Sequence, residues 1–444
     1  MRHSLLALFA LGAGLPALGQ NPIRPQAGDA RYVEINHPCD VSGAHFGEST
    51  VTLDFDGDGA LDLAVGAYGE GLVYIFSGPF DEREGFTGDV RVFDANGPRL
   101  CPFPTAGNQF GYDVTRAQLD ADPADELIIG APHYDLGLDK TGAVFVIGLG
   151  PTPTVPLLLT SGAGESEWLG KSVSAGDFDG DGFIDIAAAA NKSTVAGVAA
   201  GSVYIFHGPI SETSPITKLE NPEPVLHGNF GQHLAVGDGN QDGADDLYVS
   251  AIGNTAQGVP VAGQIFAYMN PVDPQTHVAL EDPSPNPLDL PAPRFGMHVE
   301  ARDEWVAIGA NRKDWTGIHD AGMGYLYSGP LFNDVTLHGH PRPEESDYTA
   351  FRAMIANVIG DATLDFVYIC MNRKLLMIWD GTDRNGDPHF VRVRKTSGAH
   401  WANGSGYAQL VPGGYEELVL GDPDYRSPAS PTGAAVGRVL IWLP

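Results

Sequence analysis

Asp54-Phe55-Asp56-Gly57-Asp58-Gly59-Ala60-Leu61-Asp62 runs without a break into Leu63-Ala64-Val65-Gly66-Ala67. Aspartate and glycine crowded into the first nine residues read as a turn that wraps around something. The apolar run behind it has the length of one buried strand. Two more copies follow: Asp177-Phe178-Asp179-Gly180-Asp181-Gly182-Phe183-Ile184-Asp185 before an alanine-rich run to Ala190, and Asp238-Gly239-Asn240-Gln241-Asp242-Gly243-Ala244-Asp245-Asp246 before Leu247–Ala251.

Outward from these, the apolar run recurs seven times, with strand-end markers at Gly66, Gly130, Ala189, Ser250, Gly309, Ile369 and Gly421, 64, 59, 61, 59, 60 and 52 residues apart. Behind each comes a second β-branched and aromatic run, such as Leu72–Phe76, Ser202–Phe206 and Arg438–Trp442. Ahead of each sits a lead: Phe46-Gly47, Phe110-Gly111, Leu169-Gly170, Phe230-Gly231 and Phe295-Gly296, with degenerate forms at Phe351-Arg352 and Gly406-Tyr407. The first four lead glycines each stand 19 residues before their marker; the last three intervals are 13, 17 and 15. Sixty residues accommodate four short strands with turns. The chain is therefore expected to be all-β, a seven-bladed β-propeller of four-stranded antiparallel blades. The last copy ends after its third strand, so Arg31–Asn36 is expected to supply its outer strand and close the ring.

The propeller accounts for residues 31–444. Residues 1–19 read as a signal peptide, with a basic start, the apolar run Leu5–Leu15 and small residues before the cut, and 20–30 as a linker. The protein is expected to be secreted or periplasmic, and no segment has the roughly 20 apolar residues of a membrane span. With 56 acidic against 25 basic residues the net charge is −31, which excludes nucleic acid and anionic membranes as partners by repulsion. The three cysteines are too few for a disulfide scaffold: Cys370 lies in an apolar run, and Cys39 and Cys101 are either paired or free.

In the nonapeptides, positions 1, 3, 5 and 9 carry side-chain oxygens: Asp54, Asp56, Asp58 and Asp62; Asp177, Asp179, Asp181 and Asp185; Asp238, Asn240, Asp242 and Asp246. Position 7 (Ala60, Phe183, Ala244) offers a backbone carbonyl, and glycine at position 6 permits the sharp turn. Hard oxygen ligands in a flexible loop suit Ca²⁺ better than Mg²⁺, and no nitrogen or sulfur ligand invites zinc. The glutamate that ends an EF-hand loop is missing. Three Ca²⁺ sites are expected, and four or five if two degenerate loops also bind. These are Gln118, Asp120, Asp122 and Glu126, where Pro123 replaces the turn glycine, and Asn357, Asp361 and Asp365, with Ile359 at position 3.

The lead, the acidic loop and the Gly-Ala strand end together resemble the FG-GAP repeat of integrin α-chain propellers and of related secreted bacterial proteins. The resemblance implies calcium loops on the lower face, in the hairpin joining the first two strands of a blade, and ligand engagement on the upper face. A secreted calcium-binding adhesion module is the function expected, with an extracellular protein or glycan as partner. The candidate partner face is Tyr134, Lys192, Arg312, Trp315, Asp424, Tyr425 and Arg426, in the loops after the Gly-Ala strands. The alternative, a polysaccharide lyase or hydrolase, needs a cluster of acid, base or nucleophile. The 14 histidines are scattered, with His338 and His340 the only close pair, and no HExxH or nucleophile elbow is present.

Overall fold

The second strand of nearly every repeat is buried along its whole length: Asp62–Ala67, Glu126–Ala131, Asp185–Ala190, Asp246–Ala251, Asp365–Cys370 and Glu417–Asp422, with only Trp305 of Trp305–Ala310 partly exposed. A strand buried on both faces needs a cover on each side. Blades set radially give one, because each sheet is covered by its two neighbours. The computed structural model describes residues 31–443 apart from interior stretches, the longest being 100–106, 394–404 and 427–434. The expected signal peptide (1–19), linker (20–30) and Cys101 lie outside the described residues.

Seven antiparallel sheets form the ring. Blade 1 is Phe46–Leu53, Asp62–Ala67, Leu72–Phe76 and Val90–Asp94, extended by Gly97–Arg99. Blades 2 to 6 repeat the order of four strands, and their first strands are Asp113–Ala117, Leu169–Gly176, Phe230–Gly237, His298–Arg302 and Ala353–Ala356. The first strands of blades 2 to 5 each pack beside the first strand of the next blade, and that of blade 1 packs beside those of blades 2 and 7, so the first strands surround the axis. Blade 7 combines Ser405–Ala408, Glu417–Asp422 and Arg438–Leu443 with Arg31–Asn36. The register Val33↔Ile441 and Ile35↔Val439 places both N-terminal side chains in the core shared by blades 7 and 1. Arg438 fastens this seam through Asp422 at 3.2 Å and Glu34 at 3.1 Å.

Consecutive blades meet at a backbone joint that explains a recurrent glycine. The residue opening the third strand of one blade lies against the lead residue of the next. A Cβ on Gly142, Gly201, Gly263, Gly322 or Gly437 would come within 2.0–2.3 Å of the backbone oxygen of Leu169, Phe230, Phe295, Thr349 or Phe46. Only glycine fits. The last of these joints, Gly437 on Phe46, carries blade 7 onto blade 1.

The joint corrects one assignment. In blade 5 the glycine at the joint is Gly322, ahead of strand Met323–Ser328. In blade 6 the lead is Thr349-Ala350 and not Phe351-Arg352: Thr349 N–H donates to Ala321 O at 3.0 Å, as Phe295 N–H does to Ala262 O in the blade before. Ala350 adopts the positive φ (57°) that glycine holds in the first five leads. Counted from Ala350, the interval to Ile369 is again 19. Blade 5 is shorter because Arg302 and Trp305 close its first hairpin directly. Cys39 is disulfide-bonded, and Cys370 is a buried free thiol.

Candidate functional site

The nonapeptides are the hairpins between first and second strands. In the first, Gly59 N–H donates to Asp54 Oδ2 (2.9 Å) and Ala60 N–H to Asp58 Oδ1 (2.8 Å). The third makes the same wrap, Gly182 to Asp177 (2.9 Å) and Phe183 to Asp181 (2.8 Å), and so does the fourth, Gly243 to Asp238 (3.0 Å) and Ala244 to Asp242 (2.9 Å). The turn turns its carboxylates inward. Oxygens of Asp54, Asp56 and Asp58 converge within 4.8 Å of one another, as do those of Asp177, Asp179 and Asp181. Asp54 Oδ1 is buried with no hydrogen-bond partner, which is compatible with a cation ligand. In the fourth loop Asp238, Asp242 and Asp246 are not among the converging groups, and Asn240 Nδ2 donates to Asp242 Oδ2 at 2.9 Å.

Position 9 has a second task that sequence reading missed. Asp62, Asp185 and Asp246 each accept the N–H seven residues back, from Phe55 (3.0 Å), Phe178 (3.2 Å) and Gly239 (2.8 Å). Glu126, Asp365 and Glu417 do the same with Leu119 (2.5 Å), Val358 (2.9 Å) and Leu410 (2.7 Å), in blades whose loops are degenerate or lack a ligand set. The acid is thus kept where the other acidic positions are lost, because it braces the hairpin. Asp62 stands outside the Asp54 trio, while Asp185 joins Asp179 and His207, whose Nδ1 lies 3.7 Å from Asp185 and 3.8 Å from Asp179. That imidazole is a nitrogen the sequence reading had not placed there. Burial holds the Asp62 and Asp185 carboxyls above the usual range and lifts Asp246 to about 7.

Two of the loops are also stitched to the neighbouring blade. Asp54 N–H donates to Asp125 Oδ2 (3.0 Å), and Asp125 N–H returns to Asp54 O (2.7 Å). Asp177 and Asp245 repeat the exchange at 2.9 and 2.8 Å. In the second loop the Gln118 amide donates to the carbonyls of Asp122 (2.6 Å) and Ala124 (2.9 Å), the latter being the position-7 oxygen.

On the opposite face most of the expected contact residues are engaged within the fold. Tyr134 packs edge-on against Phe145 at 5.0 Å, Trp315 is half-buried against the blade 5 core, and Tyr425 lies under the Arg438 guanidinium at 3.9 Å. Lys192 reaches Asn229 at 2.6 Å. Asp424 is half-buried, Arg426 is exposed, and Arg312 lines a cavity. His338 is buried and stacked on Trp379 at 4.4 Å, and burial lowers its pKa to about 4. It is a core residue.

The cavity, about 630 Å³, occupies the axis on this face. Its wall is the start of the first strands, including Asp113, Lys171, His233, Glu300 and Arg352, with Arg294 and Arg312 in the loops.

The FG-GAP repeat family model matches residues 46–92 and 169–206, which contain the two loops with converging aspartates. The chain carries FG-GAP repeats. Integrin alpha-5 of Xenopus laevis is 30% identical over 196 residues, spanning 42% of this chain and 17% of the relative. Integrin alpha-PS2 of Drosophila melanogaster is 31% identical over 201 residues, spanning 41% and 12%. The matches thus cover less than a fifth of those integrin chains. Virginiamycin B lyase of Staphylococcus aureus superposes with a TM-score of 0.52 at 8% identity, covering 89% of this chain and 99% of that one, a likeness of fold alone. The acidic FG-GAP loops are compatible with divalent cations, and no helix among the described residues is long and apolar enough to cross a membrane.

Proposed function

We infer that this FG-GAP propeller is an extracellular binding module, in which Ca²⁺ held by the first and third loops, and by the fourth, is structural and the opposite face engages a protein or glycan. The observation that carries the metal reading is Asp54: one oxygen shapes the loop, the other is buried without a partner among converging carboxylates, and the backbone is stitched to the next blade. An ion at that place neutralises the aspartates and tightens a blade boundary at once. The second loop has less need of one, because Gln118 already satisfies the position-7 carbonyl. The relatives' integrin names support the binding role, as does a strongly acidic surface suited to calcium-rich surroundings.

Chelation is expected to lower the melting temperature and millimolar CaCl₂ to restore it, since an ion bound only to the folded state stabilises it by mass action. Extracellular calcium modules bind at about 10⁻⁴–10⁻³ M. Asp54→Ala with Asp177→Ala should remove most of the chelator response. A double variant that responds as fully as the parent would overturn the assignment.

A further inference from the structure

The axial cavity reverses the charge balance of the chain. Overall, acids outnumber bases 56 to 25. On the cavity wall, Lys171, Arg294, Arg312 and Arg352 stand against Glu48, Asp113 and Glu300. These carboxylates have partners of their own. Asp113 accepts the N–H groups of Val114 (3.1 Å) and Val173 (2.9 Å), and Glu300 accepts the Tyr407 hydroxyl (3.3 Å). Burial lifts Glu300 to about 7, so it is partly protonated at neutral pH.

The cations are less well served. Lys171 Nζ donates to the Tyr112 hydroxyl, leaving two of its protons. Among the described residues, the Arg352 guanidinium makes no ion pair and no hydrogen bond, and Arg352 lines the cavity. A guanidinium brought inside a fold is ordinarily paired. Glu48 and Asp113 act on it only as neighbouring charges.

We propose that the axial cavity binds a hydroxylated organic monoanion of the sugar-acid class, its carboxylate on Arg352 and Lys171. A planar guanidinium matches a carboxylate through two parallel hydrogen bonds. Glu48 and Asp113 repel a dianion such as phosphate but accept hydrogen bonds from sugar hydroxyls. His233 and His298, kept neutral by burial and with rings 5.1 Å apart, offer further donors and acceptors. A volume of about 630 Å³ lies within the range of small-molecule sites and admits one or two sugar rings. The proposal goes beyond the binding role above and does not depend on calcium in the loops.

The test is calorimetric titration of the full chain in CaCl₂ with glucuronate, glucose, inorganic phosphate and an oligosaccharide ending in glucuronate. Glucuronate should bind, with glucose and phosphate weaker by at least about tenfold, and Arg352→Met should weaken it by roughly ten- to a hundredfold. Lys171→Met is the second variant, and a melting curve shows that each is folded. Equal binding of the oligosaccharide identifies the end of an acidic glycan as the source, and its exclusion identifies the free sugar acid. The proposal is overturned if glucuronate fails to bind the parent chain at about 10 mM, if glucose binds equally well, or if both folded variants bind glucuronate unchanged.

Discussion

Replacing Glu417 tests whether the ninth position is a brace or merely a remnant of a metal loop. Glu417 is 1% exposed, in a blade without a ligand set, and its Oε2 accepts Leu410 N–H at 2.7 Å. Glu417→Ala leaves that N–H buried and unmet, at about 1–3 kcal/mol. It also removes one buried methylene group at roughly 0.8 kcal/mol. The sum is about 2–4 kcal/mol. With an unfolding entropy of about 2.1 cal/mol/K per residue over roughly 410 residues, that is a fall in Tm of about 2–5 °C. Glu417→Gln keeps an oxygen for Leu410 and should lose less than half as much. Both are measured by scanning calorimetry, with and without chelator, and the chelator response should match that of the parent. An alanine variant melting within about 1 °C of the parent would refute the reasoning, as would a changed chelator response.

Three further outcomes follow from the ring. Ile35→Ala, at a core position 8% exposed on the closing strand, should cost about 2 kcal/mol, the low end for such a truncation, read by chemical denaturation. Gly437→Ala should cost more, about 2–5 kcal/mol, because the new Cβ would lie 2.1 Å from Phe46 O at a φ of +88°; unchanged stability would contradict the joint. Glu300 has a folded pKa raised to about 7 from 4.5, so its contribution is full below about pH 4.5 and is lost as pH rises through 7. Glu300→Gln should therefore gain on the parent between pH 5 and 8, and parallel stability–pH curves would count against a buried, ionising Glu300.

Much of the ring was legible because its strands are apolar on both faces and their spacing survives loop variation. The sixth lead was misread because Thr349-Ala350 has neither the aromatic ring nor the glycine, although the interval of 19 to Ile369 marks it. Counting 19 back from Gly421 lands on Ala402, after Trp401, both outside the described residues. The brace was hidden because one aspartate can serve both a metal and a backbone N–H. The cavity was hidden for another reason: each blade contributes only a short stretch of its wall, some sixty positions from the next. The usable signal was the second residue after each lead, which gives Ser49, Asp113, Ser172, His233, His298 and Arg352.

Because Arg31 sits across a single ladder rung from Leu443, the polypeptide leaves the wheel where it entered. A short linker across that rung would make the backbone circular, and fresh ends cut at an exposed hairpin such as Gly258 would leave every blade with its full complement. A pull applied through Arg31 and Leu443 would load the rungs one at a time, like opening a zip, and would spare the other six blades until the seventh had parted.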